Sequence, residues 1–201
     1  MNYFVTAIDT DSGKTLVSAV LTEMLQCDYW KPIQSGPPRD TDTVSSLVSC
    51  NDTVFHDESY VLGTPASPHY SAELDGVLID LSKIILPTDN QLVIEGAGGL
   101  LVPLNNEDTI ADLIPLVQAE VVLVSNLYLG SINHTLLTIE ELKRRGLPVK
   151  GIIFNGEANR ASEDIILQKS GYRRLLDIPK LAKVDKETVR ELAKELKENW
   201  E

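Results

Sequence analysis

The sequence predicts a single-domain α/β protein, residues 1–201, built on an open, mostly parallel sheet with helices on both faces. Three observations carry that reading. Short β-branched runs alternate with segments of helical spacing. Each run leads into a polar or glycine-rich stretch, as strands of open parallel sheets do at their carboxyl ends. A chain of 201 residues with 43% hydrophobic content can bury one sizeable core but hardly two.

In chain order, Tyr3 to Ile8 (YFVTAI) reads as a buried strand, and Lys14 to Leu25 repeats apolar residues at helical spacing. Tyr29 to Ile33 is a less pronounced strand, and much of Pro37 to Ala72 reads as loop. Gln91 to Ile94, Glu120 to Val124 and Gly151 to Phe154 complete the strands expected from pattern alone. Ser131 to Arg145 is helical before Gly146, a residue suited to the position just past a helix end. Asp185 to Trp200 places Val189, Leu192, Ala193, Leu196 and Trp200 on one stripe behind a capping aspartate.

Charge removes several classes of function. A net charge of −12 repels phosphate polymers, so neither a nucleic acid nor an anionic membrane is expected as partner. The most apolar long stretch, Ile110 to Leu129, is interrupted by Asp112, Pro115 and Glu120, which argues against a membrane span. Cys27 and Cys50 lack metal or redox spacing, and the first residues have no signal-peptide pattern. A reduced, cytoplasmic setting is the expectation.

The candidate site lies at the carboxyl ends of the strands. After the first comes "DTDSGKT", where Ser12, Gly13, Lys14, Thr15 and Leu16 open a helix whose amides and lysine can hold phosphate while the Thr15 hydroxyl ligates Mg²⁺. This is a P-loop-type arrangement, although Ala7 and Ile8 stand where the common pattern begins with glycine. Glu95 ends an apolar run and precedes Gly96, Ala97 and Gly98, small residues that let amides approach an anion. It is a candidate Mg²⁺ ligand with Asp42, whose rival Asp40 is two residues away. Lys31, in "WKPIQSG", would face the same crevice as Lys14, and two lysines with a metal suggest phosphoryl transfer.

Together these segments resemble the dethiobiotin synthetases from end to end. Asp9, Thr10, Gly13, Lys14 and Thr15 match that family's long phosphate loop. "KPIQSG", "PASPH", "EGAGGLLVPL", "LGSINHTLLT" and the asparagine ending "GIIFN" match further segments. The resemblance implies closure of a cyclic urea on 7,8-diaminononanoate by CO₂ and MgATP, through an N-carbamate and a carbamic-phosphoric mixed anhydride, in biotin formation. It implies that Lys14 holds the β and γ phosphates, that Lys31 neutralises carbamate and transferred phosphoryl, and that Thr15, Asp42 and Glu95 ligate Mg²⁺. Thr10 and Asp11 would face the reacting groups, although the family commonly has glutamate at the latter position. Ser35 would contact the carbamate or diamine.

For the base, similarity points to Asn155 and to Ile178, Pro179 and Lys180 after the final strand. The family works as homodimers, which implies that the helix start at Gly130 and Asn133 binds the substrate carboxylate for the other subunit's phosphate loop. Two alternatives stay open on the residues alone. One is a switch ATPase of the partition or iron-protein type, which usually carries a further lysine near the loop's start. The other is a nucleotide-binding regulator without chemistry, which gives no reason for Lys31 and Ser35.

Overall fold

The computed structural model describes residues 1–200 and places seven parallel strands in one sheet. They are β1 (Asn2–Ala7), β2 (Asp28–Trp30), β4 (Phe55–His56), β6 (Leu92–Gly99), β7 (Ala119–Asn126), β8 (Val149–Asn155) and β9 (Arg174–Ile178). Their spatial order is β4-β2-β6-β1-β7-β8-β9, while β3 (Ile33–Ser35) and β5 (Tyr60–Leu62) form a separate parallel pair. The helices are α1 (Lys14–Leu25), α2 (Asp40–Leu47), α3 (Pro68–Leu74), α4 (Ile110–Leu116), α5 (Ser131–Arg144), α6 (Arg160–Ser170) and α7 (Lys186–Glu198). None is long and apolar enough to cross a membrane among the described residues.

Alternation along the strands divides the core into two layers. Tyr3, Val5 and Ala7 pack with α1, α2 and α7 through Val17, Leu21, Val44, Val189 and Leu196. Phe4, with Ile94, Leu123 and Phe154, packs on the other side against Ile110 and Leu113 of α4, Ile139 and Leu142 of α5, and Ile166 of α6. Helices therefore cover both faces, which is why the central strands carry apolar residues at consecutive positions.

Connectivity fixes where a ligand can sit. From β1 the chain crosses through α1 to β2 on one side, whereas from β6 it crosses through α4 to β7 on the other. The carboxyl ends of the neighbouring β1 and β6 thus open a crevice at a reversal of strand order. Ala7 ends β1 fully buried, and the non-glycine residues at positive φ are Gln26 and Gln118. The phosphate loop therefore leaves the strand without left-handed backbone at Ala7, where the common pattern has glycine.

The region read as loop between Pro37 and Ala72 holds α2, β4, β5 and the start of α3. α2 has the sequence DTDTVSSL, whose two apolar residues are too few to show a helical period, and β4 is two residues long. α6 was missed for a similar reason: of its apolar residues only Ile166 is fully buried. The expected final strand is β9, and Ile178 is its last residue rather than one beyond it.

Candidate active site

Gly13 sits at φ +94° and starts α1, so the loop turns onto the helix in a conformation that a side chain resists. A Cβ at that position would also lie 2.3 Å from the Asn155 amide nitrogen. Lys14 is buried, and its Nζ donates to the carbonyls of Asp9 (3.1 Å) and Thr10 (2.8 Å). Burial pushes its pKa down to about 8, against an upward pull from Glu95 and with a further downward push from Lys31. Ser12 is fully buried beneath the loop. Its Oγ donates to Asn126 Oδ1 at 2.8 Å and lies 3.0 Å from the Asp9 carbonyl, while its own carbonyl accepts from Asn155 Nδ2 at 2.8 Å.

Lys31 sits at the end of β2 with only 3% of its surface exposed. Its ammonium lies 2.7 Å from Asp40 Oδ2 and 3.2 Å from Glu95 Oε1, and donates to the Gly96 carbonyl at 3.4 Å. Burial alone would lower its pKa, but the charges of Glu95 and Asp40 outweigh burial and raise it, so this lysine stays protonated. Thr15 Oγ1 lies 3.1 Å from Asp40 Oδ1 and 3.0 Å from Glu95 Oε1. Tyr29 donates to Glu95 Oε2 at 3.0 Å and fixes the carboxylate from below. The sequence reading had no signal for Tyr29, which looks like any apolar strand residue.

Asp40, not Asp42, joins this cluster. At the first helical position Asp40 points inward to Lys31 and Thr15, its backbone N–H held by Gln34 Oε1 at 3.1 Å. Two residues on, roughly 200° around the helix, Asp42 is exposed and outside the cluster. Thr15, Asp40 and Glu95 offer the hard oxygen donors that suit a small divalent cation sharing phosphate oxygens and water. The surrounding cleft, of about 340 Å³, is also lined by Thr10, Asp11, Lys14 and Lys31. Its three carboxylates, Asp11, Asp40 and Glu95, outnumber its two lysines. A polyphosphate therefore needs an added cation there.

Two further clefts adjoin. One, of about 350 Å³, runs from Lys31 and Ser35 past Ala97 and Gly98 to the Pro65–Pro68 segment. The Ser35 hydroxyl is buried with no protein partner. The other, of about 490 Å³, lies over the start of α1 between Leu16, Asn126, Asn155, Pro179 and Lys180. Ile178 does not line it: its side chain is in the core and its carbonyl accepts from Gly156 N–H at 2.9 Å. Gly96 is likewise withdrawn, for a Cβ there would meet the Phe4 ring at 2.9 Å.

Gly130 (φ +105°) and Asn133, at the start of α5, open on a different cleft of about 700 Å³, away from Lys31 and Ser35 within one chain. Beside them Leu129 is fully exposed and Tyr128 and Ile132 are partly so.

Comparisons with known proteins agree with this geometry. A family model described as an AAA domain matches residues 1–188. The ATP-dependent dethiobiotin synthetase of Cytophaga hutchinsonii is 55% identical, with 98% of each chain covered. That of Agrobacterium fabrum is 43% identical over 94% of this chain and 91% of its own. Among solved structures, a ParA family ATPase from Chlorobium tepidum superposes with a TM-score of 0.56 at 15% identity, covering 98% of this chain and 92% of that one. The septum site-determining protein MinD of Pyrococcus horikoshii does so at 0.58 and 16%, covering 98% and 96%. These last likenesses establish the nucleotide-hydrolase fold alone. With relatives of this identity along nearly its whole length, the chain belongs to the ATP-dependent dethiobiotin synthetase family.

Proposed function

We propose that the chain closes a cyclic urea on 7,8-diaminononanoate with CO₂ at the expense of ATP, forming dethiobiotin in biotin biosynthesis. The observation that carries this reading is Lys31, a buried ammonium between Asp40 and Glu95 that opens both on the phosphate cleft and on the cleft with the unpaired Ser35 hydroxyl. A nucleotide switch has no use for a second cleft joined to the first through a buried lysine.

In this scheme one amine of the substrate takes up CO₂ and loses a proton to give a carbamate. A carbamate oxygen attacks the γ-phosphorus of ATP and ADP leaves, and the second amine then attacks the carbonyl carbon and expels phosphate, closing the ring. Lys14 and the loop amides hold the β and γ phosphates, and Lys31 stabilises charge on the carbamate and the transferred phosphoryl group. Ser35 hydroxyl orients the carbamate, with Thr10 and Asp11 lining the path between the clefts. Mg²⁺ would be held by Thr15, Asp40 and Glu95, and when bound it neutralises the phosphates. The adenine would occupy the cleft between Leu16, Asn155, Pro179 and Lys180.

A homodimer completes the site. Gly130 and Asn133 have helix-start donors suited to the substrate carboxylate but lie outside their own chain's Lys31 cleft, and the exposed Leu129 beside them favours a covering subunit. Two free cysteines fit a reduced cytoplasmic setting.

The discriminating experiment is ATP turnover with and without the diamine. Phosphate release that requires diamine and bicarbonate is expected; steady hydrolysis indifferent to both would favour a switch ATPase.

Lys14 adds a pH dependence. Its charged form binds triphosphate, so ATP affinity is complete below the free-protein pKa of about 8 and is lost as pH rises above it. Bound phosphate raises that pKa, and the loss should approach about tenfold per pH unit at most. Titration of ATP binding without diamine should show this decline in the wild type and a flat response in Lys14→Ala. Constant wild-type affinity across that range would contradict the assignment.

A further inference from the structure

We propose that Asn126 reads the nucleotide base together with Asn155, as a donor beside an acceptor, and that Ser12 fixes which atom of Asn126 faces the base. This rests on the nucleotide-site reading above and adds base selection to it.

Asn126 ends β7 and Asn155 ends β8, and the two are register partners across the parallel ladder, about 5 Å apart along the sheet. Both line the cleft over the start of α1. Each has given one amide atom to the phosphate loop. Asn126 Oδ1 accepts from the Ser12 hydroxyl, and Asn155 Nδ2 donates to the Ser12 carbonyl, each at 2.8 Å. A carbonyl oxygen only accepts, so the orientation of Asn155 is set; the hydroxyl sets that of Asn126. The two committed atoms leave the opposite ones free, Asn126 Nδ2 as donor and Asn155 Oδ1 as acceptor, and neither has a protein partner among the described residues.

A base held there must place an amine against Asn155 Oδ1 and a ring nitrogen acceptor against Asn126 Nδ2. Adenine and cytosine carry such an edge, an exocyclic amine beside an unprotonated ring nitrogen. Guanine and uracil carry the inverse, a carbonyl oxygen beside a ring N–H, which sets acceptor against acceptor and donor against donor. The base cannot turn over to escape this, because its sugar is tethered to phosphates held at Lys14. Leu16 and Pro179 supply apolar surface on the cleft walls without reading the edge. The chemical class selected is thus an amino-bearing base, with Asn126 the specificity residue.

The test is competition binding of the Mg²⁺ complexes of ATP, CTP, GTP and UTP, without diamine, to the full-length wild type, Ser12→Ala, Asn126→Asp and Asn126→Ala. Melting temperatures verify that each variant is folded. The wild type should bind ATP and CTP at least about tenfold more tightly than GTP and UTP. Ser12→Ala frees the Asn126 amide to turn over, and Asn126→Asp replaces the donor with an acceptor. Each should shrink the ATP to GTP ratio to about threefold or less, and Asn126→Ala should do the same should either of the others prove unfolded. An equal loss for all four nucleotides, with the ratio unchanged, would mean that Ser12 and Asn126 merely brace the loop, and would overturn the inference. Wild-type binding without base discrimination would overturn it alone. Binding of none of the four would overturn the nucleotide-site reading, and the inference with it.

Discussion

Lys31→Ala should lower kcat by about 10²- to 10⁴-fold while ATP affinity stays within about threefold of wild type. The ammonium is within 3.2 Å of two carboxylates rather than on the loop that grips phosphate, so its charge matters most when carbamate and phosphoryl meet. Removing it leaves Asp40 and Glu95 without their cation in a buried setting, which should also lower thermal stability until Mg²⁺ is added. Lys14→Ala should instead weaken ATP binding and turnover together, because Lys14 sits within the phosphate loop itself. Equilibrium binding of a non-hydrolysable ATP analogue beside steady-state kinetics separates the two. Equal loss of nucleotide affinity in both variants would contradict the division of roles.

The second large effect concerns the dimer. Lys14→Ala and Asn133→Asp should each be nearly inactive as homodimers, the latter because it sets a negative charge against the substrate carboxylate at the start of α5. Reassembled at random in equal amounts, about half the dimers are mixed, and each mixed dimer holds one intact site and one doubly damaged site. Activity should return to roughly one quarter of wild type. Verified mixed dimers with no recovery would place both residues in the same chain's site and remove the shared-site proposal.

The sequence made the frame of the molecule legible wherever apolar periodicity was strong. α1 begins and ends at Lys14 and Leu25 as expected, α5 begins at Ser131 and α7 follows its capping Asp185. β1, β6, β7 and β8 lie where β-branched runs predicted them. What stayed hidden was of two kinds. Short polar elements such as α2 are held by capping and by neighbours rather than by their own pattern: Thr41 reaches Glu58 at 2.7 Å, and Arg39 also pairs with Glu58. Helix phase then decided between Asp40 and Asp42, a choice that spacing could not make because the helix itself was not visible. The other kind is contact between distant positions. Ser12 meets Asn126 and Asn155 across more than a hundred residues, and Tyr29 supports Glu95 from a neighbouring strand. Resemblance found Asn155 but not its commitment to the phosphate loop, which leaves Asn126 as the free donor.

The central claim is that buried Lys31 joins a nucleotide cleft to a carbamate cleft so that ATP drives urea formation. It is tested most directly by incubating the protein with labelled bicarbonate, 7,8-diaminononanoate, ATP and Mg²⁺, then acidifying. A carbamate reverts to CO₂ in acid and a urea does not. Acid-stable label should appear only when all components are present, in step with ADP, and be lost in Lys31→Ala. ADP formation with no acid-stable label would contradict the claim.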